Sequence, residues 1–267
     1  MDPAAPNSPD DARRFGGIAR LYGDAGRARL AAAHVCVVGI GGVGSWAVEA
    51  LARSGVGRLT LIDLDHVAES NINRQIHATE ATLGQAKVEA MRERIAGYNP
   101  ACQVALVDDF VTVDNAAALL GGGFDYVIDA IDAVRVKVAM IAFCRRTGVP
   151  VVTCGAAGGQ IDPTQIRVDD LSRTIQDPLL SKVRGQLRKG HGFPRDPKRK
   201  FGVDAVFSTE PLRYPAPDAS CEVLPGSGAV SGPAGLNCAG FGSVVTVTAC
   251  VGMFAAARAL NALAAAR

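Results

Sequence analysis

Aromatic residues make up only 5% of this 267-residue chain, and there is a single tryptophan, Trp46. Beside 30 glycines, that scarcity argues against an aromatic-rich β-sandwich and for a glycine-punctuated α/β chain. No two of the seven cysteines (36, 102, 144, 154, 221, 238 and 250) stand in a C-x-x-C pair, which excludes the usual cysteine-rich structural zinc site. Their odd number and scatter fit a reduced compartment, and no secretory pattern opens the chain, so a cytoplasmic location is expected. Charge of one sign is lacking too. The formal net charge of +2 removes any global basic signature of nucleic-acid binding. There is no internal repeat.

What charge there is lies unevenly. Lys182, Arg184, Arg188, Lys189, Arg195, Lys198, Arg199 and Lys200 face one acid, Asp196, within 182–200, so the rest of the chain is net acidic. A second unusual segment, 234–257, carries no charge at all. At 24 residues it is long enough to span a bilayer. Asn237, Ser243, Thr246, Thr248 and four glycines interrupt it, however, and large aliphatics are few. A helix over 241–265, buried in the core or in a dimer interface, is expected rather than stable membrane insertion; peripheral membrane contact is the alternative.

At 48% hydrophobic, the chain has ample material for a core, in one large domain or one with a substantial insertion. Residues 1–12, rich in Pro, Ala and Asp, read as a disordered tail. From His34 the pattern alternates: strand 34–39, helix 42–53, strand 58–63, a polar loop 64–77, helix 84–97, strand 103–107, a short helix near 114–120, strand 126–131, helix 134–147 and strand 150–154. Such alternation predicts a doubly wound, mostly parallel Rossmann-like sheet over 13–157. Beyond it, 158–267 is expected to add a mixed-strand region (159–168 and 203–210), the basic insert 182–200, a Pro/Gly/Ser-rich loop over 215–233 and the terminal helix. Ile175, Leu179, Leu180, Val183 and Leu187 have the spacing of one amphipathic helix.

Gly39-Ile40-Gly41-Gly42-Val43-Gly44 matches G-x-G-x-x-G between the first strand and helix, and Asp63 ends the second strand 19 residues after Gly44. In that context the glycines permit a tight turn, close backbone approach to phosphate and close helix–strand packing. NAD and ATP can both use this geometry. Three downstream groups decide between them: Asn71-Ile72-Asn73-Arg74-Gln75, Lys87 at the start of the third predicted helix, and Asp129-Ala130-Ile131-Asp132. Strand carboxyl ends line one crevice in an open α/β sheet, so these groups can converge on one phosphate chain. An Arg and a Lys neutralise charge on transferred phosphate, and an Asp can hold magnesium. A nicotinamide-dependent oxidoreductase needs none of them. Taken singly, each could be a surface Arg, a solvated Lys or a strand-end Asp.

The set G-x-G-G-x-G, L-I-D-x-D, N-x-x-R-Q, G-x-x-K and D-x-x-D, standing at Gly39–Gly44, Leu61–Asp65, Asn71–Gln75, Gly84–Lys87 and Asp129–Asp132, resembles the ubiquitin-activating-enzyme-like superfamily that includes ThiF, MoeB and HesA. The resemblance implies adenylate chemistry with ATP and magnesium, and admits a monovalent cation. It makes Gly39, Gly41, Gly42, Val43, Gly44, Asp63, Asp65, Asn71, Asn73, Arg74, Gln75, Lys87, Asp129, Ile131 and Asp132 the candidate nucleotide contacts. Arg74, Lys87 and Asp132 carry the catalytic roles, Asp63 holds ribose and Asp132 organises the metal. It also implies a homodimer in which an arginine of the partner, matching Arg14 or Arg20, reaches the phosphates.

A closer likeness runs through Arg14-FGGIARLYG, Asn73-RQIHA, Asp108-DFVTVDN, Cys144-RR, Gly158-GQIDPTQI, Thr174-IQDPL and Val206-FSTE, which resemble the tRNA threonylcarbamoyladenosine dehydratase branch. This implies adenylylation of the threonyl carboxylate on a modified tRNA adenosine, followed by ring closure. The eight basic residues of 182–200 then become candidates for contact with tRNA phosphates, against a merely solvated loop. Members of this branch are linked to a cysteine-desulfurase system, so Cys221 and Cys238 are candidates for a sulfur-relay contact, against a structural role. The alternative activity, activation of the C-terminus of a ubiquitin-like sulfur carrier, is disfavoured by the missing C-x-x-C pairs and by the basic insert.

Overall fold

The computed structural model describes residues 11–214 and 241–265. The start of the tail, the loop 215–233, Cys221 and Cys238 lie outside the described residues. The described chain forms one seven-stranded sheet with order β3-β2-β1-β4-β5-β7-β6. Its strands are β1 (His34–Val38), β2 (Arg58–Ile62), β3 (Gln103–Val107), β4 (Tyr126–Asp129), β5 (Val151–Cys154), β6 (Ile166–Asp170) and β7 (Asp204–Ser208). All neighbours pair in parallel except β6, which runs antiparallel to β7 at one edge. The sheet therefore continues across residue 157, and the mixed-strand region extends it rather than forming a second sheet.

The unbroken hydrophobic runs of these strands follow from burial on both faces. Along β1, Val35 and Val37 enter one core while Cys36 and Val38 enter the other, as the two-residue period of a strand requires. Helices α1 (Asp11–Ala32), α2 (Gly44–Arg53), α3 (Lys87–Ala96) and α7 (Val245–Ala265) cover the first face; α4 (Ala116–Leu120), α5 (Val134–Thr147) and α6 (Pro178–Gly190) cover the second. Strand order reverses between β1 and β4, which opens a crevice at their carboxyl ends.

Several boundaries depart from the sequence expectation for local reasons. α3 starts at Lys87 because Gly84 takes φ +81°, a turn conformation that helices do not use. The strand expected over 159–168 begins only at Ile166: Asp162 accepts a hydrogen bond from Thr164 N, and 163–165 form a single 3₁₀ turn. Ile175 does not belong to α6. Asp177 caps that helix by accepting from Leu180 N at 2.8 Å, Pro178 occupies its first turn, and Ile175 is left 56% exposed upstream. The 22-residue α1, broken at Gly23 (φ 73°, ψ 164°), had no strong apolar period to announce it.

The apolar terminal helix starts at Val245, four residues later than expected, and is long and apolar enough to cross a membrane. In the fold it packs against α1, α2 and the sheet, burying Val247, Val251, Ala255, Ala259 and Leu263. Its small residues permit the close approach. A Cβ on Gly252 would run into the Val43 carbonyl oxygen and stand 3.0 Å from Trp46 Cβ. Gly252→Val is accordingly expected to destabilise the protein by about 1–3 kcal/mol through overpacking. Chemical denaturation checks this; an unchanged midpoint would show that α2 and α7 are not closely packed.

Candidate nucleotide site

The glycine turn is built by contacts that exclude side chains. Gly39 has φ +87° and donates to Ile62 O at 2.9 Å, and a Cβ there would meet Ile131 Cγ2 at 2.9 Å. A Cβ on Gly44 would collide with the Gly39 carbonyl oxygen, so the chain can enter α2 only with glycine at that position. A Cβ on Gly41, by contrast, would have no heavy atom within 4 Å. The turn thus opens to free space at its second glycine. At the start of α2 the Ser45 and Ala47 amides donate to Gly41 O and Val43 O, each at 3.1 Å, and Val43 supplies no side-chain cap, which leaves the Gly44 and Trp46 amides to meet an anion.

Asp63 braces this turn. Its Oδ2 accepts from Ile40 N at 2.6 Å and its Oδ1 from Asp65 N at 2.9 Å. Burial pushes its pKa up, opposed by Lys87 and the two backbone donors, and the net shift is upward. Lys87 lies almost fully buried at the start of α3, with its Nζ 2.6 Å from Asp65 Oδ2 and its backbone N donating to Asp65 O. Asp65 keeps a half-exposed carboxylate above it.

Arg74 comes to the same turn from the polar loop. Its Cγ and Cδ lie 3.1 and 3.2 Å from where a Gly42 Cβ would be, its Nη1 donates to Ser70 O at 2.6 Å and Asn73 Oδ1 at 3.0 Å, and Trp46 Nε1 donates to its carbonyl at 3.0 Å. Partial burial lowers its pKa, and the same partial exclusion of water leaves its charge less screened. Asn71 is buried and accepts from Ala68 N; Asn73 donates from Nδ2 to Ser243 O, tying the loop to the approach of α7. Gln75 is buried, and its Oε1 has no hydrogen-bond partner among the described residues. Both ring nitrogens of buried His77 are likewise unpartnered there. Burial, then Lys87 and Arg94, depress its pKa to about 4, so the ring is neutral at neutral pH.

The D-x-x-D pair divides in two. Asp129 has no exposed surface and lies 3.0 Å from the equally buried Lys137 Nζ. Thr153 Oγ1 donates to its Oδ2 at 2.7 Å, and Lys137 Nζ bonds Thr153 Oγ1 at 3.1 Å. Asp129 is thus engaged with α5 and β5 inside the sheet, while Asp132 is exposed in the loop between β4 and α5, and Ile131 packs on the glycine turn. No group of three or more metal-ligating side chains exists among the described residues. A magnesium ion held by one carboxylate and by phosphate oxygens fits this donor set; an all-protein cage does not.

Lys137 was not singled out from sequence, although a sign of it was present. It falls on the same helical stripe as Ile141 and Cys144, both fully buried, so a charged residue had to enter the core. Arg14 stands apart from the crevice of its own chain: its Nη1 donates to Tyr98 O at 2.5 Å near the amino ends of the strands, and Arg20 is exposed on the same helix. Among the basic residues, Lys182, Lys189, Arg195, Lys198, Arg199 and Lys200 are exposed. Arg184 donates to Thr174 Oγ1, and Arg188 donates to Pro194 O at 3.2 Å with its guanidinium 5.2 Å from the Phe201 ring. These two shape the fold around α6.

Fold and crevice together define a doubly wound nucleotide-type protein whose glycine turn is flanked by an arginine and a buried lysine. The chain belongs to the ThiF family, whose profile matches residues 16–266. It is similar to the tRNA threonylcarbamoyladenosine dehydratase of Escherichia coli (55% identical over 250 residues, 93% of this chain and 92% of the relative) and to that of Haemophilus influenzae (53% over 252 residues, 94% and 93%). Among solved structures, the E. coli dehydratase in complex with ATP superposes with a TM-score of 0.83 at 52% identity, covering 94% of each chain.

The Asp129–Lys137 pair generates a stability test. Lys137→Met leaves a buried, uncompensated carboxylate and is expected to cost about 3–5 kcal/mol, whereas Asp129→Asn combined with Lys137→Met should recover most of that loss. Urea denaturation of the two variants measures the difference. Equal losses in the single and double variants would mean that the charge pair is not what matters.

Proposed function

We propose that the protein is an ATP-dependent tRNA threonylcarbamoyladenosine dehydratase. The observation that carries this reading is Arg74 laid across Gly42, with Lys87 buried against Asp65 at the start of α3, in a chain that resembles such dehydratases over 93–94% of its length. The threonyl carboxylate of the modified adenosine attacks the α-phosphate of ATP, giving an acyl adenylate and releasing pyrophosphate. The carbamoyl group of the same side arm then attacks the activated acyl carbon, loses a proton and expels AMP, closing a ring. The net change in the nucleoside is loss of water. A carboxylate is a poor electrophile and AMP a far better leaving group than hydroxide, so the step that needs help is the first. Ring closure is intramolecular and needs no protein nucleophile, only positioning.

In this reading the open space at Gly41 and the Gly44 and Trp46 amides at the start of α2 take the phosphates, and Arg74 and Lys87 stabilise charge as it develops. Asp132, with the phosphates, would hold magnesium, which supplies charge neutralisation there. A homodimer brings Arg14 or Arg20 of one protomer to the other's phosphates, and the protein works in the cytoplasm. Cys221 and Cys238 remain the candidates for contact with a sulfur-transfer partner. The exposed cations of 182–200 meet tRNA phosphates.

Two measurements test this. Pyrophosphate release is expected on addition of threonylcarbamoyladenosine-bearing tRNA and not of a ubiquitin-like carrier protein, and Arg74→Ala or Lys87→Ala should slow it roughly 10²–10³-fold. Release with the carrier alone would favour the sulfur-carrier activity instead. Reversing Arg195, Lys198, Arg199 and Lys200 to Glu should weaken tRNA binding and flatten its salt dependence by about 0.7–0.9 in log–log slope for each phosphate no longer neutralised. An unchanged slope would remove this stretch from the tRNA interface.

A further inference from the structure

Two strands along the sheet from the glycine turn, the carboxyl ends of β5 and β7 frame a second opening. It is an open cavity of about 460 Å³, within the range of small-molecule sites. It shares the crevice's side of the sheet: Asp177 in its wall accepts from Ala156 N just past β5, and Leu212 and Tyr214 follow the end of β7. At about 4.8 Å per strand, it stands roughly 10 Å from the β1–β4 switch point.

Its chemistry is that of a nucleotide site rather than of an apolar gap. Pro178 and Leu212 give it apolar walls. Tyr214, 74% exposed, stands at its edge with its ring 5.2 Å from that of Phe241, an aromatic step open on its outer side. Arg184 contributes a half-buried guanidinium; its bond to Thr174 uses one of five donors. The one acid in the lining among the described residues, Asp177, has both oxygens engaged by backbone amides of Ala156 and Leu180. Gln176, also in the wall, is the single non-glycine residue with positive φ (56°) among the described residues, a conformation that persists where surrounding structure enforces it.

We propose that this cavity receives the modified purine nucleotide splayed out of the tRNA loop, with Tyr214 stacking on the base and Arg184 holding a flanking phosphate. The inference rests on the dehydratase reading and adds to it where the acceptor binds. Unstacked RNA bases are recognised in this way, by an aromatic face and a cation on the backbone. The separation leaves the base's side arm to span toward the phosphate chain at the glycine turn. Arg184 then belongs to the nucleotide's immediate surroundings, apart from the exposed cations that meet the rest of the tRNA.

The test uses the full-length protein, ATP and threonylcarbamoyladenosine-bearing tRNA. Tyr214 is exposed, so its replacement leaves the core intact. Tyr214→Ala should raise KM for the tRNA about five- to 150-fold, the range of one lost base stack, without changing ATP affinity measured alone. Tyr214→Phe should behave as the wild type. Wild-type KM in Tyr214→Ala, equal damage in Tyr214→Phe, or a defect confined to ATP binding would each overturn the stacking site. A wild-type protein that converts no modified tRNA overturns the dehydratase reading, and the acceptor site with it; an active wild type beside an unaffected Tyr214→Ala overturns the acceptor site alone.

Discussion

A lysine and an aspartate without exposed surface, Lys137 and Asp129, meet at the carboxyl end of β4, and the crevice is built outward from them. Taking both charges out of water costs several kcal/mol per ion, offset only if geometry and further hydrogen bonds are good. Here Thr153 from β5 completes the network, so α5, β4 and β5 are joined at one point. The loop that leaves this point carries Ala130 and Ile131 against Gly39, and a side chain on that glycine would strike both. The pair therefore sets the loop, the loop confines the turn, and the turn determines where the amino end of α2 points. Asp129 acts on the turn through position, while Asp132, three residues on, is the acid that faces outward.

The other side of the turn is held by a comparable chain of dependence. Asp63 fastens Ile40 and Asp65 by their amides, Asp65 fixes Lys87, and Lys87 begins α3. Arg74 is held by Ser70, Asn73 and, through its carbonyl, Trp46 of α2. Cations fixed in advance at low exposure cost little to reorganise when charge develops on a phosphate, which is the condition under which electrostatic stabilisation is strong. No protein nucleophile has to be added to this arrangement for a carboxylate to be adenylylated and then displaced from within its own molecule.

Much of this was legible in the chain because the determinants are local. Gly39 to Gly44, the acid at Asp63, the loop with Arg74 and Lys87 at a helix start are short patterns whose structural context was itself readable from strand–helix alternation. What was not legible depends on distant partners. Lys137 looks like any helical lysine until Asp129 and Thr153 are seen beside it. Asp129 looked like a ligand-facing acid because its partner lies eight residues on, across a turn. Ile175 fits the apolar period of α6, yet Asp177 and Pro178 start the helix after it. The cavity beneath Tyr214 joins segments from α6 and the end of β7 that nothing in their own composition relates.

In the proposed reading, nucleotide chemistry at the glycine turn serves to dehydrate a nucleoside in tRNA. The most direct measurement is the mass of that nucleoside after the purified protein has acted on threonylcarbamoyladenosine-bearing tRNA with ATP. A dehydratase removes the mass of one water per nucleoside and forms one AMP and one pyrophosphate for each. An unchanged nucleoside mass, or water loss that proceeds equally well without ATP, would contradict that reading.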